Sequence, residues 1–190
     1  MISFPTMRPT RVEGGITAGF TKGGIWRSLL RATLAVSLVI GLQTAAQPAL
    51  ADPILSVSGG PDAAGNPIDV TYDLAALQAM PKSGFKTTTM WTEGEQTFEG
   101  VALHSLLDTL NVTSGKVIAS AINDYRIEIP VSDITPEAPV IAYLRNGEQM
   151  GVRDKGPLWI VYPYDSNPQY QSEVVFSRSI WQLNRIEIAP

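Results

Sequence analysis

Apolar and polar positions along residues 52–190 alternate in many short runs, which is typical of a β-rich protein. Period-two alternation predicts strands over 54–58 and 68–72, which we expect to pair as an opening hairpin. The clearest alternation covers 125–131, and the turn Asn123-Asp124 is expected to join it to a strand over 116–122. Runs rich in threonine, aromatic or β-branched residues predict further strands over 85–91, 97–101, 139–144, 158–162, 174–176 and 180–188.

Two short helices are predicted between these strands. Asp73 is expected to cap a helix that begins at Leu74 and ends before Pro81. A second helix is predicted over 102–110, with leucines on one face. His104 falls off that face and is interpreted as a solvent-side residue. The whole pattern predicts an α+β fold with a β-rich mixed sheet, a barrel-like core and two or three short helices.

The stretch 146–164 combines a turn, a charged triplet and an apolar run. Asn146-Gly147 predicts a tight hairpin turn, because both residues tolerate positive φ. The triplet Arg153-Asp154-Lys155 precedes a predicted buried strand over 158–162, which Pro163 closes. Charged side chains at the end of a buried strand indicate a ligand-facing edge. The alternative is a solvated loop in which the triplet forms a local ion-pair cluster.

The first 51 residues predict a secretory signal. Arg27 and Arg31 lead into the apolar run 32–42, and Ala49-Leu50-Ala51 provides a small-residue cleavage pattern. The apolar run is shorter than the ~20 residues that a spanning helix needs, although an uncleaved anchor is the alternative. We therefore expect cleavage after Ala51, a single domain over 52–190, and a periplasmic or secreted protein with no stable membrane span. The two arginines are not adjacent, which favours the general secretory route over the twin-arginine route.

Charge and composition exclude several functional classes. Residues 52–190 carry nine basic and 17 acidic side chains, a net charge of −8. Such an acidic domain without a basic stripe is a poor candidate for binding nucleic acid. The chain has no cysteine and a single histidine. This excludes disulfides and thiolate metal sites, and it leaves little material for histidine-based metal sites or catalytic triads.

Several sequence blocks follow one another in an order that identifies a family resemblance. They are Phe98-Glu99-Gly100-Val101-Ala102-Leu103 with Leu106-Leu107, Ala121-Ile122-Asn123-Asp124-Tyr125 with Ile129-Pro130, Ala142-Tyr143, Asn146-Gly147-Glu148, Gly156-Pro157-Leu158, Val161-Tyr162-Pro163, and the closing run 181–188. Together they resemble the molybdopterin-binding domain of the sulfite oxidase-like oxidoreductases, over essentially all of 52–190. The resemblance implies a mixed α+β domain in which a pterin dithiolene carries molybdenum.

This sequence departs from that family at three points. The strand in which the family has its molybdenum-binding cysteine reads Thr87-Thr88-Thr89-Met90-Trp91 here, and a hydroxyl is a poor donor for a soft metal. Trp159 follows the Gly-Pro-Leu block, where larger members usually carry an arginine that holds cofactor phosphate. The general secretory signal is also the wrong type for a protein exported with its cofactor already bound. All three departures favour a domain without molybdenum.

The candidate ligand- or cofactor-binding residues are polar and aromatic side chains around the expected cleft. They are Thr87, Thr88, Thr89, Trp91, Asn123, Asp124, Tyr125, Arg153, Asp154, Lys155, Trp159 and Arg178. Arginine, lysine and aromatic rings together suit a small anionic or planar molecule. Tyr162, Tyr164 and Trp181 are further aromatic residues of this region, and the alternative is that the rings belong to the core.

Two functional hypotheses follow. The first is a periplasmic binding or sensory module without a molybdenum ligand, which recognises a small molecule or a periplasmic or membrane partner protein. The second is an active periplasmic oxidoreductase that binds molybdopterin without a cysteine ligand. The sequence assigns no catalytic residue, predicts no metal site from its residue spacing, and gives molybdopterin only by resemblance.

Overall fold

The computed structural model describes residues 52–62 and 64–190, which lie in one compact unit. The predicted signal and its cleavage site lie outside the described residues. The helices and strands of the described part are, in chain order, β1 Leu55–Gly59, β2 Ile68–Tyr72, α1 Leu74–Ala79, β3 Lys82–Thr88, β4 Glu95–Ala102, α2 Leu103–Thr109, β5 Lys116–Ala121, β6 Arg126–Pro130, β7 Val140–Arg145, β8 Glu148–Gln149, β9 Trp159–Val161, α3 Glu173–Ser177 and β10 Leu183–Ala189. Short 3-10 helices cover Val131–Asp133, Val152–Asp154 and Pro168–Tyr170.

The strands form two five-stranded sheets. The first has the order β2-β1-β10-β5-β6, in which β1 and β10 are parallel and the other neighbours antiparallel. The second has the order β3-β4-β7-β8, and β9 also pairs with β7. This confirms the predicted α+β class with mixed sheets, and neither of the two sheets closes into a barrel. The edge strands β2 and β3 are exposed along much of their length and do not pair with each other.

Most of the predicted elements are confirmed. β1 and β2 form the opening hairpin, and β5 and β6 pair through the predicted turn. The carboxylate of Asp73 accepts a hydrogen bond of 2.7 Å from the backbone of Ala76, as expected of a helix cap. Asn146 and Gly147 both have positive φ, and they connect β7 to β8.

Two predictions at the end of the chain are wrong. Residues 174–176 do not form a strand but lie in α3, because the Ser172 hydroxyl accepts a hydrogen bond of 3.3 Å from Val175 and starts a helical turn. The last strand begins at Leu183 and not at Ile180, because the left-handed backbone of Gln182 interrupts the extended chain. The segment before β10 therefore forms a wall of the cavity described below.

The central strands β7 and β9 are buried on both faces. Ile141 and Ile160 belong to the main core between the sheets, whereas Val140, Trp159 and Val161 pack in a second cluster with Phe98 and Met150. Burial on both faces explains why these strands read as continuous apolar runs rather than alternating ones. In the part of the chain that the structure describes, no helix has the length and apolar character to cross a membrane.

Candidate functional site

A cavity of about 420 Å³ opens beside Trp91, and its walls are largely apolar and include four aromatic side chains. We call it the aromatic cavity, and its lining residues are Trp91, Ala121, Asn123, Tyr125, Phe176, Ser177, Ser179, Ile180 and Trp181. These residues come from the loop after β3, the β5–β6 turn, and α3 with the segment that follows it. No lysine, arginine, aspartate or glutamate among the described residues lines it. The volume is within the range of ligand pockets.

Trp91 is the centre of the aromatic cavity. The Thr89 hydroxyl accepts a 3.1 Å hydrogen bond from the Trp91 backbone and lies 2.7 Å from the Thr92 hydroxyl, so a local turn fixes the position of the indole. The Trp91 ring packs edge-on against four other rings, those of Trp159, Tyr164, Phe176 and Trp181, with centroids 5.8 to 6.1 Å away. Such packing holds the ring in one orientation.

Tyr125 is placed by the turn between β5 and β6. The Asn123 side chain accepts a 3.2 Å hydrogen bond from the Tyr125 backbone, and Asp124 occupies the left-handed position of the turn. The Asp124 carboxylate pairs with Arg185 at 2.6 Å, and the guanidinium lowers the pKa of that carboxyl. With 53% of its surface exposed, Tyr125 lies at the open side of the cavity.

The opposite wall is formed by α3 and the residues after it. Phe176 packs on Tyr164 with a centroid separation of 5.4 Å. The Tyr164 hydroxyl donates a buried hydrogen bond of 2.6 Å to Ser179, whose hydroxyl in turn donates to the carbonyl of Val175. Burial raises the pKa of Tyr164 to about 12, so this hydroxyl stays protonated and keeps its donor role at physiological pH. The wall is therefore fixed before any ligand arrives.

The threonine segment at the end of β3 is tied to Asp165. The Asp165 carboxylate accepts hydrogen bonds from the Thr88 backbone at 2.5 Å, the Thr88 hydroxyl at 2.9 Å and the Thr87 hydroxyl at 3.2 Å. The Thr87 hydroxyl also accepts from the Asp165 backbone at 3.1 Å. The hydrogen bonds from the Thr88 backbone and hydroxyl, with that from Thr87, lower the pKa of Asp165. This network fixes the segment that leads into Trp91.

Replacing Asp165 by alanine should lower the free energy of unfolding at pH 7 by about 1.5 kcal/mol, because charge-assisted hydrogen bonds are lost from a solvent-screened site. The native carboxyl has a lowered pKa, so its stabilisation is fully present above about pH 4 and is lost as the pH falls through the lowered value. The difference between wild type and variant should therefore shrink below about pH 4. Urea unfolding across this range measures it. Asp69→Ala, at an exposed position of β2, is the control; an equal effect there would contradict the assignment.

The structure brings only some of the predicted site residues to the aromatic cavity. Trp91, Asn123 and Tyr125 line it, and Asp124 belongs to the same turn. Thr88 and Thr89 line a neighbouring shallow pocket with Asp165. Thr87 is fully buried beneath that pocket, with no exposed surface.

The predicted basic residues lie elsewhere. Arg153 is exposed in the 3-10 helix Val152–Asp154, and Asp154 pairs with Arg145 at 2.5 Å. The Lys155 ammonium lies 5.8 Å from the centroid of Trp159, which is itself fully buried. Arg178 donates to Asp133 at 2.9 Å. None of these residues lines the aromatic cavity.

Sequence reasoning missed part of the cavity wall, namely Ala121, Phe176, Ser177, Ser179 and Ile180. The reason is that the sequence predicts a strand over 174–176. In the structure these residues form one helical turn, which places both Phe176 and Ser177 at the cavity. The signal that could have corrected it is Ser172 followed by Glu173, a helix-start pattern. The sequence identifies Trp181 as an aromatic residue of the region. Its contact with Trp91 joins residues 90 positions apart in the chain, so it leaves no local sequence signal.

Metal-ligating side chains are not grouped in the described part of the chain. Within residues 52–62 and 64–190, no three histidine, aspartate or glutamate side chains are placed to hold a metal ion together. His104 is near one acid, with Nδ1 3.0 Å from the Asp108 carboxylate one helical turn away. That arrangement is a surface i,i+4 pair on α2.

Comparison with known proteins shows a likeness of fold. No model of a known protein family matches the chain, and no curated protein matches it. Among solved structures, the sulfane dehydrogenase SoxCD from Paracoccus pantotrophus is similar, with a TM-score of 0.54 and 15% identity. The match covers 75% of this chain and 39% of the SoxCD chain, so this chain spans well under half of that protein. The result shows a distant, oxidoreductase-like α+β fold.

Proposed function

We propose that residues 52–190 form a small-molecule binding module that uses an oxidoreductase-like fold without molybdenum. The aromatic cavity is the observation that carries this proposal, because concave, largely apolar sites with a few polar groups are the usual form of small-ligand sites. Rings from separate parts of the chain converge there and are held by local hydrogen bonds and ring contacts. A planar organic molecule would pack against them. The predicted secretory signal supports a periplasmic or secreted location.

The molybdopterin cofactor implied by the sequence resemblance does not fit the donors present. The chain has no cysteine, and the threonines at the corresponding strand use their hydroxyls internally. Those of Thr87 and Thr88 bond to Asp165, and that of Thr89 bonds to Thr92. All three hydroxyls are therefore engaged in hydrogen bonds within the protein rather than directed at a metal. The aromatic cavity also offers no arginine or lysine for a cofactor phosphate.

An active molybdopterin-dependent oxidoreductase is the second candidate. The fold likeness to the sulfane dehydrogenase SoxCD favours it, since an oxidoreductase can share this architecture. A fold alone does not carry an activity, however, because one fold hosts many functions. The two candidates differ in whether molybdenum accompanies the purified protein.

The proposal predicts that the protein binds N-phenyl-1-naphthylamine, a neutral planar dye whose fluorescence rises in apolar sites. Trp181→Ala should weaken this binding about tenfold, because an aromatic wall contributes about 1–1.5 kcal/mol beyond its apolar area. Trp181 is 37% exposed, so its ring can contact a ligand, and its removal should cost the fold less than removal of a fully buried ring. Fluorescence titration of protein purified from expression of the full chain measures the affinity.

Val152→Ala is the matched control, because Val152 is an exposed apolar residue, 52% accessible, that does not line the aromatic cavity. Its affinity for the dye should equal that of the wild type. Unchanged affinity in Trp181→Ala would show that the dye binds elsewhere and would overturn the cavity assignment. Metal analysis of the protein from its native host separates the two candidates. Stoichiometric molybdenum would overturn the binding module, and its absence under molybdate-replete growth would overturn the enzyme.

A further inference from the structure

The residues that line the aromatic cavity indicate which ligand charge it favours. We propose that its ligand is a small organic cation with a planar or quaternary nitrogen group, bound by the faces of Trp91, Tyr125 and Trp181. This inference rests on the proposed function, since it names the ligand class of the same cavity. The sequence alone predicts an anionic or planar ligand, and the cavity wall narrows this prediction to an organic cation.

The first observation is that nothing in the wall could neutralise an anion. Arg178 lies between two lining residues, Ser177 and Ser179, yet its guanidinium donates to Asp133 and its side chain is 17% exposed. A carboxylate or phosphate would therefore lose its hydration without gaining a charged partner, which is costly. The wall disfavours anions.

The second observation is that aromatic residues of the cavity wall are partly open to solvent. Tyr125 and Trp181 keep 53% and 37% of their surface exposed, and the ring of the half-buried Trp91 lies 5.8 Å from that of Trp181, centroid to centroid. Aromatic faces carry partial negative charge and attract cations within about 6 Å, most strongly for tryptophan. Two tryptophans and a tyrosine with no basic side chain in the wall therefore form a site that favours positive charge.

The third observation is that a cation already lies near an adjoining ring. The Lys155 ammonium lies 5.8 Å from the Trp159 centroid, and Trp159 packs on both Trp91 and Trp181. Lys155 does not line the aromatic cavity, so the faces of the cavity rings are not occupied by it. The net charge of −8 over residues 52–190 adds a long-range attraction for cations at low ionic strength.

Three pyridine derivatives of nearly the same shape test the inference. They are 1-methylnicotinamide, which is a cation, nicotinamide, which is neutral, and nicotinate, which is an anion at neutral pH. Isothermal titration calorimetry with the full-chain protein should give an affinity for the cation about fivefold higher than for the neutral amide, from a cation–π contribution of about 1 kcal/mol. Nicotinate should bind more weakly than either.

Two substitutions at Tyr125 separate a ring-face effect from simple apolar contact. Tyr125→Phe keeps the aromatic face, and the preference for the cation should remain. Tyr125→Leu keeps apolar bulk without the face, so the cation should lose about threefold in affinity while the neutral amide changes little. Tyr125 is half exposed, so both variants should keep the fold, which the thermal midpoint checks.

Each outcome of the titrations decides a different point. Tighter binding of nicotinamide or nicotinate than of the cation would overturn the cation inference and leave the small-molecule module standing. Equal loss of the cation in Tyr125→Phe and Tyr125→Leu would also overturn it, because the hydroxyl rather than the ring would then hold the ligand. No binding of any of the three probes at millimolar concentration, together with no binding of the naphthylamine dye, would overturn both proposals.

Discussion

Replacing Trp159 by alanine should lower the free energy of unfolding by about 3–5 kcal/mol, the usual cost of removing a large aromatic side chain from a core. Trp159 is fully buried and contacts Phe98, Trp91 and Trp181 at centroid distances of 5.3, 6.0 and 6.3 Å. It is the first residue of β9 and pairs with Ala142 of β7, so the surrounding backbone cannot collapse to fill the space. Urea denaturation followed by circular dichroism gives the loss.

The same substitution should also weaken ligand binding. Trp159 supports two rings of the aromatic cavity from behind, although it has no exposed surface of its own. Removing it frees Trp91 and Trp181 to reorient, so the pre-formed site is lost and the binding of N-phenyl-1-naphthylamine should fall about tenfold or more. Trp159 therefore acts as a positioning residue.

Trp159→Phe is the conservative comparison. It keeps a ring on β9 and removes the indole N–H, which has no hydrogen-bond partner among the described residues. A buried donor without a partner is destabilising, so its removal offsets part of the lost volume, and we expect a cost of only about 1–2 kcal/mol. A cost for Trp159→Ala below that of Trp181→Ala, whose ring is 37% exposed, would contradict the assignment of Trp159 to the core.

The strands were predictable because their periodicity is local. β6 alternates buried and exposed residues as the sequence predicts, and β7 and β9 read as apolar runs because both of their faces are covered. The α+β class follows from such patterns. Closure of the sheets does not, because it depends on whether distant edge strands meet, and the edge strands β2 and β3 belong to different sheets.

The sequence pattern predicts a strand over 174–176, but these residues lie in α3, which builds one wall of the aromatic cavity. Val174-Val175-Phe176 has strong β propensity, but the Ser172 cap and the short length of the segment let one helical turn form instead. The cavity itself depends on Trp91 meeting Trp181 and on Phe176 meeting Tyr164. Contacts between residues far apart in the chain leave no periodic signal in the sequence. The sequence therefore indicates individual candidate residues, but not that they meet at one cavity.

Arg153 and Trp159 show the limit of reasoning from neighbours in sequence. The sequence predicts both as candidate ligand-binding residues, on either side of Gly156-Pro157-Leu158. In the structure Arg153 is exposed on a 3-10 helix, whereas Trp159 points into the cluster behind the aromatic cavity. A turn and a strand so close together can direct their side chains to opposite environments, and only the tertiary packing decides between them.

Replacing Gly100 by alanine should destabilise the domain by about 3 kcal/mol through backbone overlap rather than through lost contacts. A Cβ atom at this position would overlap the carbonyl oxygen of Ile141 and lie 2.7 Å from Cα of Ala142. The register of β4 and β7 shifts between Glu99 and Gly100, which leaves Tyr143 unpaired and brings the two strands together at the glycine. Thermal or urea unfolding measures the loss.

Gly151→Ala is the matched control, because a Cβ there meets no atom within 4 Å and the backbone, with φ −70° and ψ 158°, suits any residue. That variant should be neutral or more stable by a few tenths of a kcal/mol, since alanine reduces the entropy of the unfolded chain. Similar unfolding midpoints for Gly100→Ala and Gly151→Ala would mean that β4 can move away from β7. In that case the close approach of the two strands would not be the reason for a glycine in the Phe98–Leu103 block.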